Sequence, residues 1–523
     1  MNQAAHQDTQ SSLIARTCPL DLRPLPPIPK SSADEIARVV VRAREAQARW
    51  SEQPFEVRAK AMVRAAKSML ARREEVMALV RDEMGKLDIE ALFDEGIGHL
   101  DMLQQWIRVA RSALAPARAR MNPIAFPGKR GHTQLVPRGV VGVIAPWNFP
   151  VAGLYRAVYP ALLCGNGVVI KPSEYTPRTT QWLADSLARE LPNGVIATVH
   201  GDGIEGEHLI DAGIDACAFT GSPATGRRVA IRCAERGIPS SVEMGGKDCA
   251  IVLADCDRDR TVAGITHWAL ANVGQACGAI EVALIEDQIA DELGAQLASA
   301  WTRLTIGPGP YADISPLGNR RQFDLVVDHV RDAVAKGAKV LCGGRPTGTG
   351  LFFEPTILDH CTEDMKVVRD ETFGPVLAIV RVDGAADAVR RVNRARYGLG
   401  ASVWTRDVPR AKALAERLDV GIASINNHSF TGAVVSLPWT GTRETGFGIA
   451  NSAHAVTTFA RPKAYVVDSS TKPDPFWMPW DRSLWEFGNL LCDAQLMKLS
   501  GAWRIPLLAT KRVRTIREFF KRR

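Results

Sequence analysis

Residues 139–174 read GVVGVIAPWNFPVAGLYRAVYPALLCGNGVVIKPSE and contain the pattern that decides the fold. Two short apolar runs, at 140–145 and 168–170, are separated by a stretch of helical character. Short apolar runs that alternate with helices are typical of parallel strands buried on both faces of a sheet. The stretch therefore predicts an α/β unit.

The same alternation continues on both sides of this stretch. Residues 32–117 have the apolar spacing of helices, and further strand-like runs follow at 195–199 and 216–219. A second alternating series follows Cys277 and includes 340–342, 376–380 and 422–425. The chain is therefore predicted to contain two α/β units.

The composition is that of a globular protein. The chain has 523 residues, 46% of them hydrophobic and 23% charged, with 43 glycines. These values exclude a disordered chain, a collagen-like repeat and a disulfide scaffold, and the length predicts roughly two to four packed units. The ten cysteines form no CxxC pair, which indicates a reducing compartment and mostly buried thiols.

The formal net charge of +8 is concentrated at one end of the chain. Residues 501–523 contain eight basic side chains against Glu518 alone, so we predict no nucleic-acid partner for the protein as a whole. The first thirty residues lack the pattern of a secretory signal. The uncharged run 139–155 is interrupted by prolines and is a poor membrane span. We therefore predict a cytoplasmic protein.

Two glycine-rich turns follow apolar runs and precede helical stretches. Residues 201–206 form a GxGxxG sequence, and residues 219–228 read FTGSPATGRR, with Gly221, Ser222 and Gly226 in the turn and the start of the helix. Such turns allow a nucleotide phosphate to approach the backbone and a helix N-terminus. Taken alone, each could equally be a strand-to-helix turn without a ligand.

A carboxylate and a thiol lie in further small-residue segments. Glu243 precedes Gly245 and Gly246, and Cys277 lies in the sequence GQACG, 34 residues later. An unhindered thiol can attack an electrophilic carbon, and a separate carboxylate can deprotonate water. The spacing alone leaves open that Cys277 is a buried thiol and Glu243 a surface charge.

Six motifs together resemble one family, the NAD(P)-dependent aldehyde dehydrogenases. They occur in the family's order, and the resemblance covers about residues 30–468. The motifs are Pro146-Trp147-Asn148-Phe149-Pro150, Lys171-Pro172-Ser173-Glu174, Phe219-Thr220-Gly221-Ser222, Glu243-Met244-Gly245-Gly246-Lys247, Gly274-Gln275-Ala276-Cys277 and Glu371-Thr372-Phe373-Gly374-Pro375.

The resemblance implies a catalytic role for three residues. Cys277 would be the nucleophile that adds to an aldehyde, and the side-chain amide of Asn148 would stabilise the oxyanion together with the backbone N–H of Cys277. Glu243 would activate the water that hydrolyses the resulting thioester. No metal is implied, and the histidines show no metal-binding spacing.

The resemblance also implies a nucleotide cofactor. A carboxylate at Glu174 would accept hydrogen bonds from the adenosine ribose and repel a 2′-phosphate, so we predict NAD, with NADP as the less favoured alternative. Lys171 would contact the same ribose, and Glu371 would bind the nicotinamide ribose. The implied cofactor-binding residues are Trp147, Lys171, Glu174, Gly221, Ser222, Gly226, Glu371 and Phe373.

The resemblance implies an aldehyde dehydrogenase-like α/β fold, with a Rossmann-type cofactor domain, an α/β catalytic domain and a small β oligomerisation arm. The protein would be a homodimer or a homotetramer. The predicted division is a polar, proline-rich lead at 1–30, a dinucleotide-binding domain at 31–116 and 138–243, an arm at 117–137 and 455–468, a catalytic domain at 244–454, and a C-terminal extension at 469–523.

Several positions depart from the family pattern. Ala157 and Ala450 stand where many members carry the lysine and glutamate that relay protons from the base, and Val282 replaces a usual arginine. Arg156 occupies a position at which succinate-semialdehyde enzymes carry an arginine that can pair with a substrate carboxylate. An arginine on a helix flank, without a role in substrate binding, is the more common explanation for this residue type.

Three functional hypotheses remain open at this point. The first is a hydrolytic aldehyde dehydrogenase, acting on an unassigned aldehyde or on a carboxylated semialdehyde. The second transfers the acyl group to coenzyme A, although the Glu243 carboxylate argues against it. The third is a catalytically weak scaffold or membrane-associated binding protein on the same fold.

The C-terminal extension is rich in tryptophan and then in basic residues. It contains Trp477, Trp480, Trp485 and Trp503, followed by a basic segment with apolar residues at helical spacing. Such a segment suits a peripheral contact with an anionic membrane. It also suits an extension packed on its own oligomer.

Overall fold

A computed structural model describes residues 12–122, 126, 128–309, 311–498 and 500–521. In the described part of the chain, the α-helices are α1 (Ala33–Glu52), α2 (Phe55–Ala71), α3 (Arg73–Met84), α4 (Asp88–Ala91), α5 (Gly98–Leu114), α6 (Tyr155–Leu163), α7 (Pro177–Ala188), α8 (Gly203–Asp211), α9 (Pro223–Glu235), α10 (Arg258–Leu270), α11 (Asp287–Trp301), α12 (Arg320–Ala335), α13 (Lys366–Arg369), α14 (Ala385–Arg394), α15 (Val408–Ala415), α16 (Ser452–Phe459), α17 (Arg482–Gln495) and α18 (Arg504–Lys521).

The strands of the described residues are β1 (Leu13–Thr17), β2 (Pro24–Pro29), β3 (Ala117–Arg118), β4 (Lys129–Pro137), β5 (Val140–Ile144), β6 (Gly167–Lys171), β7 (Ile196–Thr198), β8 (Ala216–Thr220), β9 (Ser240–Glu243), β10 (Asp248–Val252), β11 (Ile280–Glu286), β12 (Lys339–Cys342), β13 (Thr356–Asp359), β14 (Val376–Val382), β15 (Tyr397–Gly398), β16 (Gly400–Trp404), β17 (Ile422–Ile425), β18 (Trp439–Thr440), β19 (Thr442–Arg443), β20 (Ile449–Ala450) and β21 (Ala460–Asp468).

The first α/β unit is built on a five-stranded parallel sheet in the order β7-β6-β5-β8-β9. Strands β5 and β6 are buried along their whole length, as the apolar runs 140–145 and 168–170 predict. The chain leaves β5 on one side to form β6 and returns on the other side to form β8. A crevice for a ligand therefore opens at the carboxyl ends of β5 and β8.

The second α/β unit contains a seven-stranded sheet in the order β12-β13-β14-β11-β10-β16-β17. Its strands are parallel except β12, which runs antiparallel to β13 at the edge. Strand β11 is buried throughout, which is typical of a central parallel strand. The predicted α/β fold with two sheets is confirmed.

A third, smaller sheet has the order β21-β4-β3. By the density of its internal contacts, the chain divides into a large unit, 1–115 with 135–462, and a small unit, 116–134 with 463–523. Both α/β sheets belong to the large unit. The finer domain boundaries given above remain a prediction.

The N-terminal region contains a hairpin that the sequence did not predict. Strands β1 and β2 pair antiparallel despite the prolines in β2. Arg16 of β1 forms a buried ion pair with Glu83, whose carboxylate also accepts the backbone N–H groups of Arg178 and Thr179. No helix among the described residues is both long and apolar enough to cross a bilayer.

Candidate active site

The candidate site lies where loops of the two sheets meet. Trp147 and Asn148 follow β5, and Gly221 follows β8, so these residues leave the carboxyl edge of the first sheet. Cys277 precedes β11 and belongs to the amino edge of the second sheet. Loops from both edges line one cleft of about 370 Å³. The two sheets thus contribute opposite walls.

The loop before Cys277 has an unusual backbone. Asn272, Val273 and Gly274 all have positive φ angles, of 52°, 58° and 70°. This region is unfavourable for a β-branched residue such as valine, so surrounding contacts must hold the loop in place. A Cβ on Gly274 would lie 2.2 Å from the carbonyl oxygen of Gly374, so only glycine fits there.

Three amides fix this loop beside Asn148. The side-chain amide of Asn148 donates to the carbonyl of Gln275 (3.0 Å), and that of Asn272 donates to the carbonyls of Asn148 (3.1 Å) and Gln275 (3.0 Å). Gln275 in turn accepts the backbone N–H of Gly318 through its side-chain oxygen (2.8 Å). These bonds hold the Asn148 amide and the cysteine loop in one rigid arrangement.

Glu243 ends strand β9 and lies against the C-terminal glycine motif. A Cβ on Gly448 would lie 2.7 Å from Cγ of Glu243, and a Cβ on Gly446 would lie 2.4 Å from the carbonyl oxygen of Val242. The two glycines therefore let the 446–448 segment pack directly on the end of β9. Among the described residues, no group donates a hydrogen bond to the Glu243 carboxylate.

Cys277, Glu243 and Asn148 line a second cavity of about 60 Å³, which adjoins the large cleft at Cys277. Arg156 is the cation among its lining residues. The Arg156 guanidinium stacks on the Trp439 ring, 4.5 Å from its centroid, and donates to the carbonyl of Gly432 (3.2 Å). The cavity therefore contains one fixed positive charge, one carboxyl group and one thiol.

Burial changes the acidity of both reactive groups. It raises the pKa of Glu243 to about 7 and that of Cys277 to about 12, and the positive charge of Arg156 opposes both changes. Desolvation destabilises a charged group, and a nearby opposite charge stabilises it. Near neutral pH, Glu243 is therefore suited to accept a proton.

Lys171, the last residue of β6, and Glu174, which follows this strand, lie on the wall of the large cleft. The buried ammonium of Lys171 donates to the carbonyls of Pro172 (2.6 Å) and Gly201 (3.2 Å), and burial lowers its pKa. The GxGxxG turn is thereby fastened to this wall, and its Asp202 also faces the cleft. The GxGxxG turn is therefore part of the cleft wall, although its sequence pattern alone is only a weak indication of a ligand site.

Gly221 and Ser222 line the cleft at the N-terminus of α9. Ser222 caps this helix by accepting the N–H of Thr225 (3.4 Å), and such an N-terminus favours a phosphate group. Gly226 does not line the cleft. A Cβ on Gly226 would lie 2.6 Å from Sδ of Met244, so this glycine allows α9 to pack on Met244.

The other end of the cleft is formed by Glu371, Phe373 and Trp147. The Glu371 carboxylate accepts the N–H of Gly246 (2.9 Å), and burial, together with the charge of Glu281, raises the pKa of Glu371 to about 8. Phe373 packs edge-on against Trp147, with ring centroids 5.5 Å apart.

Glu281 orders the loop that carries Glu371 and Phe373. Its buried carboxylate accepts the N–H groups of Thr372 (2.8 Å) and Phe373 (2.9 Å) and pairs with Lys247. Sequence reasoning missed Glu281, Asn272, Gln275 and Trp439. Glu281 could have been noticed, because it is a carboxylate in an apolar strand only four residues after Cys277. The partners of the Asn272 and Gln275 side-chain amides could not, because they depend on the folded loop.

The polar groups that line the cleft fit a dinucleotide. It offers a carboxylate at Glu174 for ribose hydroxyls, a helix N-terminus at Ser222 for phosphate and a second carboxylate at Glu371. A model of the aldehyde dehydrogenase family matches residues 6–465. The chain belongs to the aldehyde dehydrogenase family. It is an oxidoreductase that acts on aldehyde groups.

Individual relatives are similar over most of their length. The 4,4'-diapolycopene aldehyde oxidase of Methylomonas sp is 35% identical over 90% of this chain and 89% of its own. A Mycobacterium ulcerans (strain Agy99) protein that carries the provisional name succinate-semialdehyde dehydrogenase [NADP(+)] 2 is 34% identical, over 92% of this chain and 93% of its own.

A solved structure is similar at the level of the fold. It is a Mycobacterium tuberculosis aldehyde dehydrogenase complexed with NAD+, which has a TM-score of 0.83 and 30% identity, and the match covers 88% of this chain and 96% of that chain. The names of these relatives include both NAD+ and NADP(+).

Proposed function

We propose that this aldehyde dehydrogenase oxidises its aldehyde with NAD, to the free carboxylic acid, through a covalent bond to Cys277. The observation that carries the proposal is the junction of the two cavities at Cys277. Cys277 is one of the residues that line both the large cleft and the cavity of Glu243. One sulfur atom can therefore serve both the oxidation and the hydrolysis.

In the first half of the reaction, Glu243 takes the proton of the Cys277 thiol and passes it to solvent, and the thiolate adds to the aldehyde carbon to form a thiohemiacetal. The free N–H of the Asn148 amide and the backbone N–H of Cys277 stabilise the oxyanion. A nicotinamide nucleotide bound in the cleft would supply the hydride acceptor for this carbon. Loss of the hydride leaves an acyl thioester on Cys277.

In the second half, Glu243 takes a proton from a water molecule in the small cavity, and the resulting hydroxide attacks the thioester carbon. The C–S bond breaks, the carboxylic acid leaves, and Glu243 gives its proton to the departing thiolate, which restores the Cys277 thiol and the Glu243 carboxylate. The Glu243 carboxylate is free for this purpose, because no described group donates a hydrogen bond to it.

For the cofactor, we propose that Glu174 and Lys171 hold the adenosine ribose, that Gly221 and Ser222 face the pyrophosphate, and that Glu371, Phe373 and Trp147 hold the nicotinamide end. The Glu174 carboxylate favours NAD over NADP by repelling a 2′-phosphate. Arg228 also lines the cleft, but it is paired with Glu207. NADP therefore remains the less favoured cofactor.

Replacement of Cys277 by alanine tests the covalent step. We expect the variant to retain NAD binding but to produce no NADH, and we expect intact-mass analysis with a slow substrate to find an acyl adduct on Cys277 of the wild type. Cys492→Ala is the matched control, because Cys492 is the exposed thiol. Turnover by Cys277→Ala, or an adduct on another cysteine, would overturn the proposal.

A carboxylated semialdehyde is a second candidate substrate. It is favoured by Arg156, which lines the small cavity, and by a relative with a succinate-semialdehyde name. Uncharged and carboxylated aldehydes of equal length distinguish the two classes. If Arg156 binds a carboxylate, Arg156→Gln raises KM for the carboxylated aldehyde alone, whereas an equal effect on both aldehydes excludes this candidate.

Two further experiments address the remaining alternatives. Product analysis with and without coenzyme A separates hydrolysis from acyl transfer, and we expect free acid in both cases. A panel of short, aromatic, long-chain and carboxylated aldehydes at saturating NAD tests the scaffold alternative. If none of these aldehydes produces NADH, the scaffold alternative is supported.

We also propose a cytoplasmic homodimer or homotetramer, assembled through the sheet of β3, β4 and β21. This sheet presents β21, of which seven of nine residues are exposed in the single chain. An exposed strand edge is a ready site for pairing with another chain. Light scattering of the purified enzyme tests the assembly, and a monomer would overturn it.

A further inference from the structure

The C-terminal segment 475–521 has a small core of its own. Helices α17 and α18 pack against each other, with Phe487 of α17 and Leu508 and Ile516 of α18 buried. This core is occupied by apolar side chains from both helices. The exposed aromatic residues of the segment are therefore not needed to complete it.

A buried arginine holds the loop that precedes α17. Arg512 donates to the carbonyls of Pro475 (3.1 Å), Trp477 (2.7 Å) and Pro479 (2.7 Å), and it pairs with Asp481 at 3.0 Å. A buried charge is tolerated only when it is paired and hydrogen-bonded in this way. The loop that carries Trp477 and Trp480 is thereby fixed in one conformation.

Four tryptophans of this segment are turned outward. Trp477, Trp480, Trp485 and Trp503 are 56%, 70%, 74% and 72% exposed, whereas large aromatic residues are usually well buried. Within the described residues, their indole N–H groups have no protein acceptor. A ring with a free N–H suits the boundary between water and lipid, where the ring enters the apolar layer and the N–H meets polar headgroups.

Unpaired cations accompany these tryptophans. Lys511, Arg517 and Lys521 are exposed on α18 and have no carboxylate partner in the described part of the chain. Arg514 is also exposed and is paired with Glu518. Basic side chains in the same segment as exposed tryptophans favour an anionic surface. A second copy of the same segment would carry the same positive charge and would be repelled.

We propose that the surface formed by Trp477, Trp480, Trp485, Trp503, Lys511, Arg514, Arg517 and Lys521, the tail surface, docks the enzyme on an anionic lipid bilayer. The tryptophan rings enter the headgroup region, and the cations bind lipid phosphates. The enzyme is then bound peripherally. This inference concerns the location of the enzyme and does not depend on the reaction proposed for Cys277.

Vesicle sedimentation of the full-length enzyme tests the docking. We expect the enzyme to sediment with vesicles of phosphatidylcholine and phosphatidylglycerol at low ionic strength, and to remain in solution with phosphatidylcholine alone. Added salt should release the bound enzyme, because salt screens exposed charges. Failure to bind the anionic vesicles would overturn the proposal.

Two double variants separate the charge contribution from that of the rings. Lys511→Glu with Arg517→Glu should weaken vesicle binding roughly tenfold or more, and Trp480→Ala with Trp503→Ala should weaken it by a similar factor. The charge control is Lys67→Glu with Arg108→Glu, which makes the same change of net charge with exposed residues outside this segment. The ring control is Tyr311→Ala, since Tyr311 is 83% exposed.

Each variant is also assayed with a small, water-soluble aldehyde and by light scattering. We expect unchanged turnover and unchanged mass, which shows that the fold and the assembly are intact. Equal losses of vesicle binding in the controls would mean non-specific adsorption and would overturn the proposal. A smaller assembly in the tryptophan variant, without a change in vesicle binding, would assign this surface to contacts between copies and would also overturn it.

Discussion

At the scale of single residues, the environment of Glu243 sets the pH dependence that we expect for the proposed hydrolysis. The carboxyl group is buried without a hydrogen-bond donor, and the charge that lowers its pKa comes from Arg156, which is stacked on Trp439. Ala157, next to Arg156, also lines this cavity. Arg156 is therefore the cation in this cavity that stabilises the ionised form of Glu243.

We predict that Arg156→Gln moves the pH dependence of turnover. Glu243 acts as a base only when deprotonated, and its pKa is about 7, so the rate with an uncharged aldehyde should rise with pH through about this value. Removal of the Arg156 charge raises the pKa of Glu243, and the rise should therefore occur at higher pH.

The pH–rate profile checks this prediction. Arg156→Lys keeps the positive charge and should retain most of the wild-type profile, whereas Arg303→Gln, at an exposed position, should leave it unchanged. A profile that does not move in Arg156→Gln would show that Arg156 has no electrostatic effect on the base.

The cofactor preference also depends on one side chain. We predict that Glu174→Gln lowers the ratio of kcat/KM with NAD to kcat/KM with NADP roughly tenfold, about 1.4 kcal/mol, because a neutral amide no longer repels a 2′-phosphate. Steady-state rates with the two cofactors measure this ratio. Glu235→Gln, at an exposed position on α9, is the control, and an equal change in both variants would contradict the prediction.

At the scale of elements, the loop before Cys277 combines backbone strain with close packing. We predict that Gly274→Ala destabilises the protein by roughly 1–3 kcal/mol and lowers kcat, because the added Cβ collides with the Gly374 carbonyl at a positive φ. Urea unfolding and steady-state rates measure both effects.

Gly237→Ala is a matched control for this substitution. Gly237 also has a positive φ, of 66°, but a Cβ there would meet nothing within 4 Å. It therefore isolates the cost of the backbone angle from that of the collision. Equal destabilisation by the two substitutions would show that the collision with Gly374 contributes nothing to the loss of stability in Gly274→Ala.

The C-terminal helices provide a second prediction at this scale. Arg512→Met removes the hydrogen bonds to the Pro475, Trp477 and Pro479 carbonyls, so the 475–481 loop should become roughly tenfold more sensitive to limited proteolysis. Turnover of a soluble aldehyde should remain. Arg482→Met is the control, because Arg482 is 91% exposed. Unchanged cleavage in Arg512→Met would show that these hydrogen bonds do not hold the 475–481 loop in place.

At the scale of the whole molecule, the sequence predicts the sheets better than it predicts the site. Buried parallel strands such as β5 and β6 leave uninterrupted apolar runs, and this local signal gives both their positions and the fold class. The left-handed backbone at Val273 and the stacking of Arg156 on Trp439 leave no such signal, because they depend on residues distant in the chain. The prolines of β2 concealed the N-terminal hairpin, since proline is unfavourable in most strands.

The small volume of the cavity beside Glu243 has a consequence for the range of substrates. About 60 Å³ leaves room for only a few water molecules. An acyl chain that is branched next to its carbonyl would occupy this space and displace the nucleophile needed for its own release. We therefore expect unbranched aldehydes to turn over. Branched aldehydes should instead remain on the enzyme as long-lived thioesters, which block the next catalytic cycle.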